Sequence, residues 1–265
     1  MPLDADPDDQ RSDGRHRVVL LHAAGDGAPL ARVHLEPDAA QVRPFPGVPP
    51  QRVAAEARRD LAGLRLDTPD EPLVAALVAG GLRMHRAATE LRHDLADLPM
   101  PAPLPSGWSL ATPGWDDDLH DALVAAYGPG HPDGAWRDDH TAQVRAMFDD
   151  GGPVPPLLPA SARVVGPDGR SAGHVLSTGP APDRPYGWVV NLGVAPRAQG
   201  RGLGRALLTH ALYGTRTADL PALALQVADG NSARRLYDAA GFRPVSRMFS
   251  VRLPASADLP DRPAS

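Results

Sequence analysis

At 265 residues, the chain is long for one ordinary domain and suits two modest ones. A hydrophobic content of 42% and a charged content of 22% support a packed core and exclude a wholly disordered chain. The net charge of -5 argues against a general nucleic-acid binder, and the absence of Cys removes disulfides, thiolate metal sites and cysteine nucleophiles.

The first residues, 1–14, are polar and acidic, carry no apolar signal core, and read as a tail. No apolar run approaches the length of a membrane span, so a cytoplasmic protein without membrane partners is expected. Strands are predicted at Arg17–His22 and Leu30–Leu35. The proline-bearing stretch Gln41–Pro50 reads as loop. Helical patterns follow at Gln51–Leu64 and Glu71–Val78, then an extended segment over Leu82–Leu95. Residues 97–105 hold four prolines in nine positions, a stiff extended spacer that sets the domain boundary. On this division the domains are 15–96 and 106–254, with a second tail at 255–265.

The second half opens with a strand at Gly107–Ala111, then helices at Asp116–Tyr127 and Asp139–Phe148. Two strands, Ala162–Gly166 and Ser171–Thr178, flank Asp168-Gly169, a hairpin signal. A strand at Gly187–Val194 leads into a helix from Leu203 to about Gly214. Strand Ala222–Val227, helix Ser232–Ala240 with Gly241 as its left-handed cap, and extended residues Phe242–Leu253 complete the chain. The order is mixed α/β (α+β), with helices packed on a mostly antiparallel sheet. Leu77-Val-Ala-Gly-Gly81-Leu-Arg83 also parallels Tyr237-Asp-Ala-Ala-Gly241-Phe-Arg243, which suggests an internal repeat; chance in an Ala- and Arg-rich chain is the rival explanation.

Chemistry concentrates in Val194-Ala-Pro-Arg-Ala-Gln199-Gly-Arg201-Gly202-Leu203-Gly204-Arg205, a strand end, a glycine turn and a helix start. Glycines let a ligand approach the main chain, and the first helical turn offers free N–H groups and a positive dipole end. A diphosphate fits there, with Arg201 and Arg205 adding charge. The turn lacks the Gly-Lys-Ser/Thr of a P-loop, and the alternating Gly200, Gly202 and Gly204 do not match Gly-x-Gly-x-x-Gly. A tight strand–helix turn without a ligand is the structural alternative.

Gln199-x-x-Gly202-x-Gly204 after a Val-x-Pro strand end resembles the acyl-CoA loop of the GNAT acetyltransferase superfamily. So does the later Asp229-Gly-Asn231-Ser-Ala-Arg-Arg-Leu-Tyr237 followed by Gly241-Phe242. The resemblance runs from about Leu104 to Leu253. It implies a GNAT N-acyltransferase fold that uses acetyl-CoA as co-substrate, with no metal and no nucleic acid, acting on a small-molecule or peptide amine by direct attack on the thioester. It further implies that Leu192, Gly193 and Val194 pair with the pantetheine arm and that Gln199, Gly200, Arg201, Gly202, Leu203, Gly204 and Arg205 hold the diphosphate. Asn231 falls at the position that contacts the arm, and doubles as a helix cap. Tyr237 falls at the position that protonates the leaving thiolate, and is otherwise a core tyrosine.

The general base is not specified. The strand Gly187–Val194 has no carboxylate, Asn191 cannot act as a base, and His174 on the preceding strand is one candidate. His131, Asp133, Asp138, Asp139 and His140 lack the helical His pair of a zinc site and read as a solvated loop, with Trp136 near them either core or acceptor-lining. If the repeat is real, residues 15–96 form a smaller, degenerate GNAT-like half without a glycine turn, with Leu77 in place of Tyr237. Such a tandem resembles the mycothiol synthase family, for which this chain is short. A non-catalytic acyl-CoA-binding module is the alternative from another class. Acceptor identity, acyl-chain preference and oligomeric state are not encoded in any motif found.

Overall fold

The computed structural model describes residues 3–5, 17–101, 103–149, 155–181 and 184–255. The chain forms two compact units, one of residues 1–88 with 246–265 and one of residues 89–245. The proline run 97–105, where the sequence reading sets its boundary, therefore lies inside the second unit. Among the described residues no helix is long and apolar enough to cross a membrane.

The first unit begins with β1 (Leu3–Ala5), which pairs antiparallel with β2 (Arg17–His22) where the sequence predicts only a tail. The rest of residues 1–14 lie outside the described residues. Next come β3 (Pro29–Leu35), β4 (Ala39–Pro44), α1 (Pro50–Asp60), β5 (Arg65–Thr68) and α2 (Glu71–Ala79), and then β6 (Met84–His93), of which residues 84–88 belong to the first unit and 89–93 to the second. β2, β3 and β4 run antiparallel, and β4 lies parallel to β5. Alternation explains β4, which the prolines of the stretch 41–50 disguised as loop. Ala40 and Val42 are buried, and the chain turns only after Pro44. β5 has four residues, too few for a periodic signal, although Leu66 and Thr68 are both fully buried. The core of this unit gathers Leu21, Leu30, Val33, Val53, Leu66, Leu73, Leu77 and Val251.

The second unit contains β7 (Ser109–Ala111), α3 (Asp117–Ala126), α4 (Asp138–Arg145), β8 (Ala162–Val165), β9 (Ser171–Thr178), β10 (Gly187–Val194), α5 (Leu203–Thr217), β11 (Leu223–Ala228) and α6 (Arg234–Ala239). The last strand of the chain is β12 (Arg243–Arg252). β7 to β10 are successively antiparallel, and β10 lies parallel to β11. α5 is an amphipathic helix: Leu203, Leu207, Leu208, Ala211, Leu212 and Thr215 are buried at helical spacing. It meets Val175, Val189, Leu223 and Leu225 of the sheet in one apolar cluster. Asp116 caps α3, its carboxylate accepting the Leu119 N–H at 2.7 Å, and Asp117 and Asp118 complement the dipole of the first turn.

The element order of β2 to β6 is repeated by β8 to β12: three antiparallel strands, a helix, a strand parallel to the third, a helix and a final strand. The helix ends match bond for bond. The Leu82 N–H donates to Leu77 O and the Phe242 N–H to Tyr237 O, both at 3.1 Å, across Gly81 (φ +87°) and Gly241 (φ +98°). These are six-to-one Schellman closures, which need a left-handed residue. Each unit takes its closing strand from the other half of the sequence. Phe249–Arg252 of β12 pairs antiparallel with β5, and β6 lies beside β11. That exchange is why no single linker separates the units.

Candidate active site

The second unit has a gap in its sheet. β10 pairs with β11 only at Gly187 and Trp188, whereas its pairing with β9 continues to Val194. Beyond Trp188 the edge facing β11 is therefore unpaired, and a bulge between Val189 and Asn191 marks where the strand turns away. In an antiparallel ladder alternate residues direct both backbone groups to one neighbour. The Ala195 N–H donates to Ala172 O at 2.8 Å, so Gly193 and Asn191 share its orientation toward β9. Leu192 and Val194 turn theirs to the open edge. Two side-chain bonds agree with this: the Tyr127 hydroxyl donates to Leu192 O at 3.4 Å, and Gln199 Nε2 donates to Val194 O at 3.0 Å.

Gly193 has a packing role. A Cβ there would stand 2.7 Å from Ala126 Cβ and 3.2 Å from His174 Cε1, so only glycine lets α3 approach the strand. Gly193→Ala is expected to cost about 1–3 kcal/mol as an overpacking change, read from the urea midpoint at constant slope.

The open edge leads into the glycine turn. After a 3-10 turn at Pro196–Ala198, Gly200 and Gly202 adopt φ of +75° and +78°, and Gly202 is the left-handed N-cap of α5. The first helical bond is the Ala206 N–H to Gly202 O, so the amides of Leu203, Gly204 and Arg205 precede it. An added Cβ on Gly200 or Gly202 meets nothing within 4 Å, so the turn borders open space. Arg201 and Arg205 are exposed, without an acidic partner among the described residues. Free donors, two cations and room make this an anion cradle.

Tyr237 lies on α6, buried, its ring edge-on to Phe242 at 5.9 Å. Burial first and the charge of Asp133 second push its phenol well above the ordinary value, so it keeps its proton throughout the neutral range. Tyr127, at the end of α3, is pushed up by burial, by Tyr237 and by Asp133. Asn231 is engaged within the chain. Its Oδ1 accepts the Ala233 N–H at 2.9 Å, and its Nδ2 donates to Asp133 Oδ2 at 2.6 Å. Asp133 Oδ1 also accepts the N–H of Ala228, the last residue of β11, at 3.1 Å.

Sequence reasoning missed Tyr127 and Asp133. The segment Gly128–Asp133 between α3 and α4 has no periodicity, and its one acid, Asp133, reads as solvated. The rest of that His/Asp group stays local: Arg137 binds Asp139, and Trp136 Nε1 donates to Thr141 Oγ1 at 2.9 Å. Among the described residues no three His, Asp or Glu side chains converge as a metal site.

His174 is fully buried, with Nε2 2.5 Å from Asn191 Oδ1, and burial pulls its pKa down to about 4. A base that weak, walled in by Gly193 and Ala126, is poorly suited to deprotonate an amine. It has a stability consequence. Between about pH 4 and 6.5 the unfolded chain binds the proton that the folded chain refuses. The contribution is complete above pH 6.5 and is lost as pH falls through that window, at up to about 1.4 kcal/mol per unit. Denaturant titrations at pH 6.5 and 5 should find a shallower loss in His174→Gln.

Residues 117–242 match the acetyltransferase (GNAT) family. The chain is 35% identical to a mycothiol acetyltransferase of Thermomonospora curvata over 64% of its own length and 56% of that protein, and 36% identical to one of Thermobispora bispora over 65% and 59%. It thus spans little more than half the length of these relatives. A GCN5-related N-acetyltransferase from Sphaerobacter thermophilus shares the fold, with a TM-score of 0.67 at 19% identity over 93% of this chain and 84% of that one. A tandem GNAT protein from the clavulanic acid biosynthesis pathway follows at 0.53 and 18%, over 91% and 84%. The match to the acetyltransferase (GNAT) family thus falls on residues 117–242, which lie within the second unit, and the solved structures share the fold.

Proposed function

We propose that the chain is an N-acetyltransferase that moves the acetyl group of acetyl-CoA to a primary amine. One observation carries this reading: the unpaired edge of β10 runs directly into the amide cradle at the start of α5. A pantetheine arm carries amides that suit the Leu192 and Val194 edge. A diphosphate suits the amides of Gly200 to Arg205, with Arg201 and Arg205 beside it. Tyr237 is held as a phenol and donates to the sulfur as the C–S bond breaks. Asn231 reaches the arm only by exchanging a contact it makes to Asp133 or Ala233.

The relatives in question are called mycothiol acetyltransferases, which makes a small polar amine a reasonable first acceptor to try. We read the first unit as a degenerate copy of the same fold. Its β4–α1 turn ends in Pro49 and Pro50, with Pro49 the N-cap. Prolines lack the N–H groups that make a cradle, so among the described residues this turn is not an equivalent of the glycine turn before α5.

The test is direct. The chain has no Cys, so coenzyme A thiol released during turnover is read with a thiol reagent against no protein background. Calorimetry with acetyl-CoA and thiol release over a panel of amines should give binding and turnover. Tight binding with no turnover on any amine would favour a non-catalytic acyl-CoA module.

A further inference from the structure

We infer that Asp133 is the anionic subsite that receives the acceptor's ammonium group, so that the enzyme selects cationic alkyl amines. This rests on the acetyltransferase reading and deepens it.

The strand that opens the site supplies no charge for an amine. β10 carries no carboxylate, and its polar side chain Asn191 is committed to the buried His174. The carboxylate comes instead from the segment between α3 and α4. Asp133 is half-buried and fixed at both oxygens: Ala228 N–H binds Oδ1, and Asn231 Nδ2 binds Oδ2. Those two partners place it at the C-terminal end of β11, beyond the point where β10 and β11 have parted. From the other side, Tyr127 delivers its hydroxyl to Leu192 O on the open edge. The charge of Asp133 is felt by Tyr127 and by Tyr237, which places the carboxylate within electrostatic reach of both phenols. A carboxylate, two phenols and the free strand edge thus meet at one locus.

The chemistry suits an ammonium. A carboxylate accepts up to about four hydrogen bonds, so it can take an ammonium N–H alongside two backbone or amide donors. Among the titratable groups about Asp133 are Tyr127 of α3, Tyr237 of α6 and His131 of its own loop, whose Nδ1 accepts the Asp133 N–H at 3.2 Å. Both phenols stay neutral, so Asp133 supplies the negative charge among these groups. A protonated alkyl amine is drawn to it and, where that nitrogen is the one acetylated, passes one proton to the carboxylate or to water before it attacks the thioester carbon, whereas an aryl amine, neutral at pH 7, gains nothing.

The experiment compares the full chain with Asp133→Asn, using cadaverine and glucosamine as alkyl probes and p-anisidine as a neutral aryl probe. In Asp133→Asn, KM for the alkyl probes should rise about 10- to 100-fold, as expected for loss of a hydrogen bond to a charged group. The p-anisidine KM and the acetyl-CoA affinity should stay within about threefold. Raising ionic strength from 0.05 to 0.5 M should weaken alkyl-amine use by the unaltered chain and not by the variant, which a structural role would not produce. Equal losses on both amine types, or no change on either, would overturn the proposal. So would tighter acetyl-CoA binding with faster turnover, which would make Asp133 a latch on Asn231. Asp133→Glu keeps the charge and should keep the alkyl preference. A folded Glu variant without that preference also counts against the idea. If the unaltered chain acetylates none of the probes, the acetyltransferase reading itself fails, an outcome separate from a variant that matches an active parent.

Discussion

Tyr237→Phe should lower kcat for acetyl transfer about a hundredfold or more while leaving acetyl-CoA affinity within about twofold. The substitution removes one oxygen and keeps the ring, so the edge-on contact with Phe242 at 5.9 Å persists and the protein stays folded. The lost hydroxyl makes no hydrogen bond to the described residues, so nothing in the resting structure is left unpaired. On the proposed reading its effect falls on the step in which negative charge grows on sulfur. A thiol ionises near 8.5, well below this phenol, so the role proposed for the phenol is that of a hydrogen-bond donor to the developing thiolate rather than of an acid poised at neutral pH. It follows that the alkaline side of the pH–rate profile up to about pH 9 should carry no limb from Tyr237. A stopped assay of kcat, paired with calorimetry of the same sample, separates this role from a packing role. A Phe variant with unchanged kcat would leave Tyr237 as a core side chain only.

Gly202→Val should weaken coenzyme A binding by at least about thirtyfold, by more than it weakens the fold. Gly202 holds φ at +78° as the N-cap of α5, a conformation that costs an L-residue about 1–2 kcal/mol and a β-branched one more. An added Cβ meets no atom of the chain within 4 Å, so the side chain is tolerated internally but stands in the space the cradle faces. Strain moves the amides of Leu203 and Gly204, and the isopropyl group excludes a phosphate. The apolar face of α5, with Leu203, Leu207, Leu208 and Leu212 all buried, holds the helix in place. Calorimetry and a melting curve on one sample would check both halves. Equal affinity in the variant would mean that the cradle does not bind the cofactor.

The glycine turn and the order of elements around it were readable because their causes are local. Gly200 and Gly202 are where the chain must turn left-handed, and α5 repeats its leucines at helical spacing. The twin helix ends around Leu77 and Tyr237 were legible for the same reason, since each closes on its own glycine. What sequence could not give is contact over distance. Asp133 meets Ala228 and Asn231 across 95 and 98 residues, and no pattern within a loop of Gly, Pro, His and Asp foretells it. β5 is a strand because β4 and β12 bracket it, and its four residues carry too little alternation to announce it. The exchange of closing strands leaves no compositional mark, so the prolines at 97–105 looked like a boundary. His174 was legible as a histidine on a strand and not as one entombed beneath Gly193.

Amide hydrogen exchange with and without acetyl-CoA probes the site at its own donors. If the open edge and the cradle hold the co-substrate, protection should rise at Leu192, Val194 and Gly200 to Arg205, with little change at the Pro49–Pro50 turn of the first unit. Saturating acetyl-CoA that leaves the exchange of those amides unaltered would contradict the account.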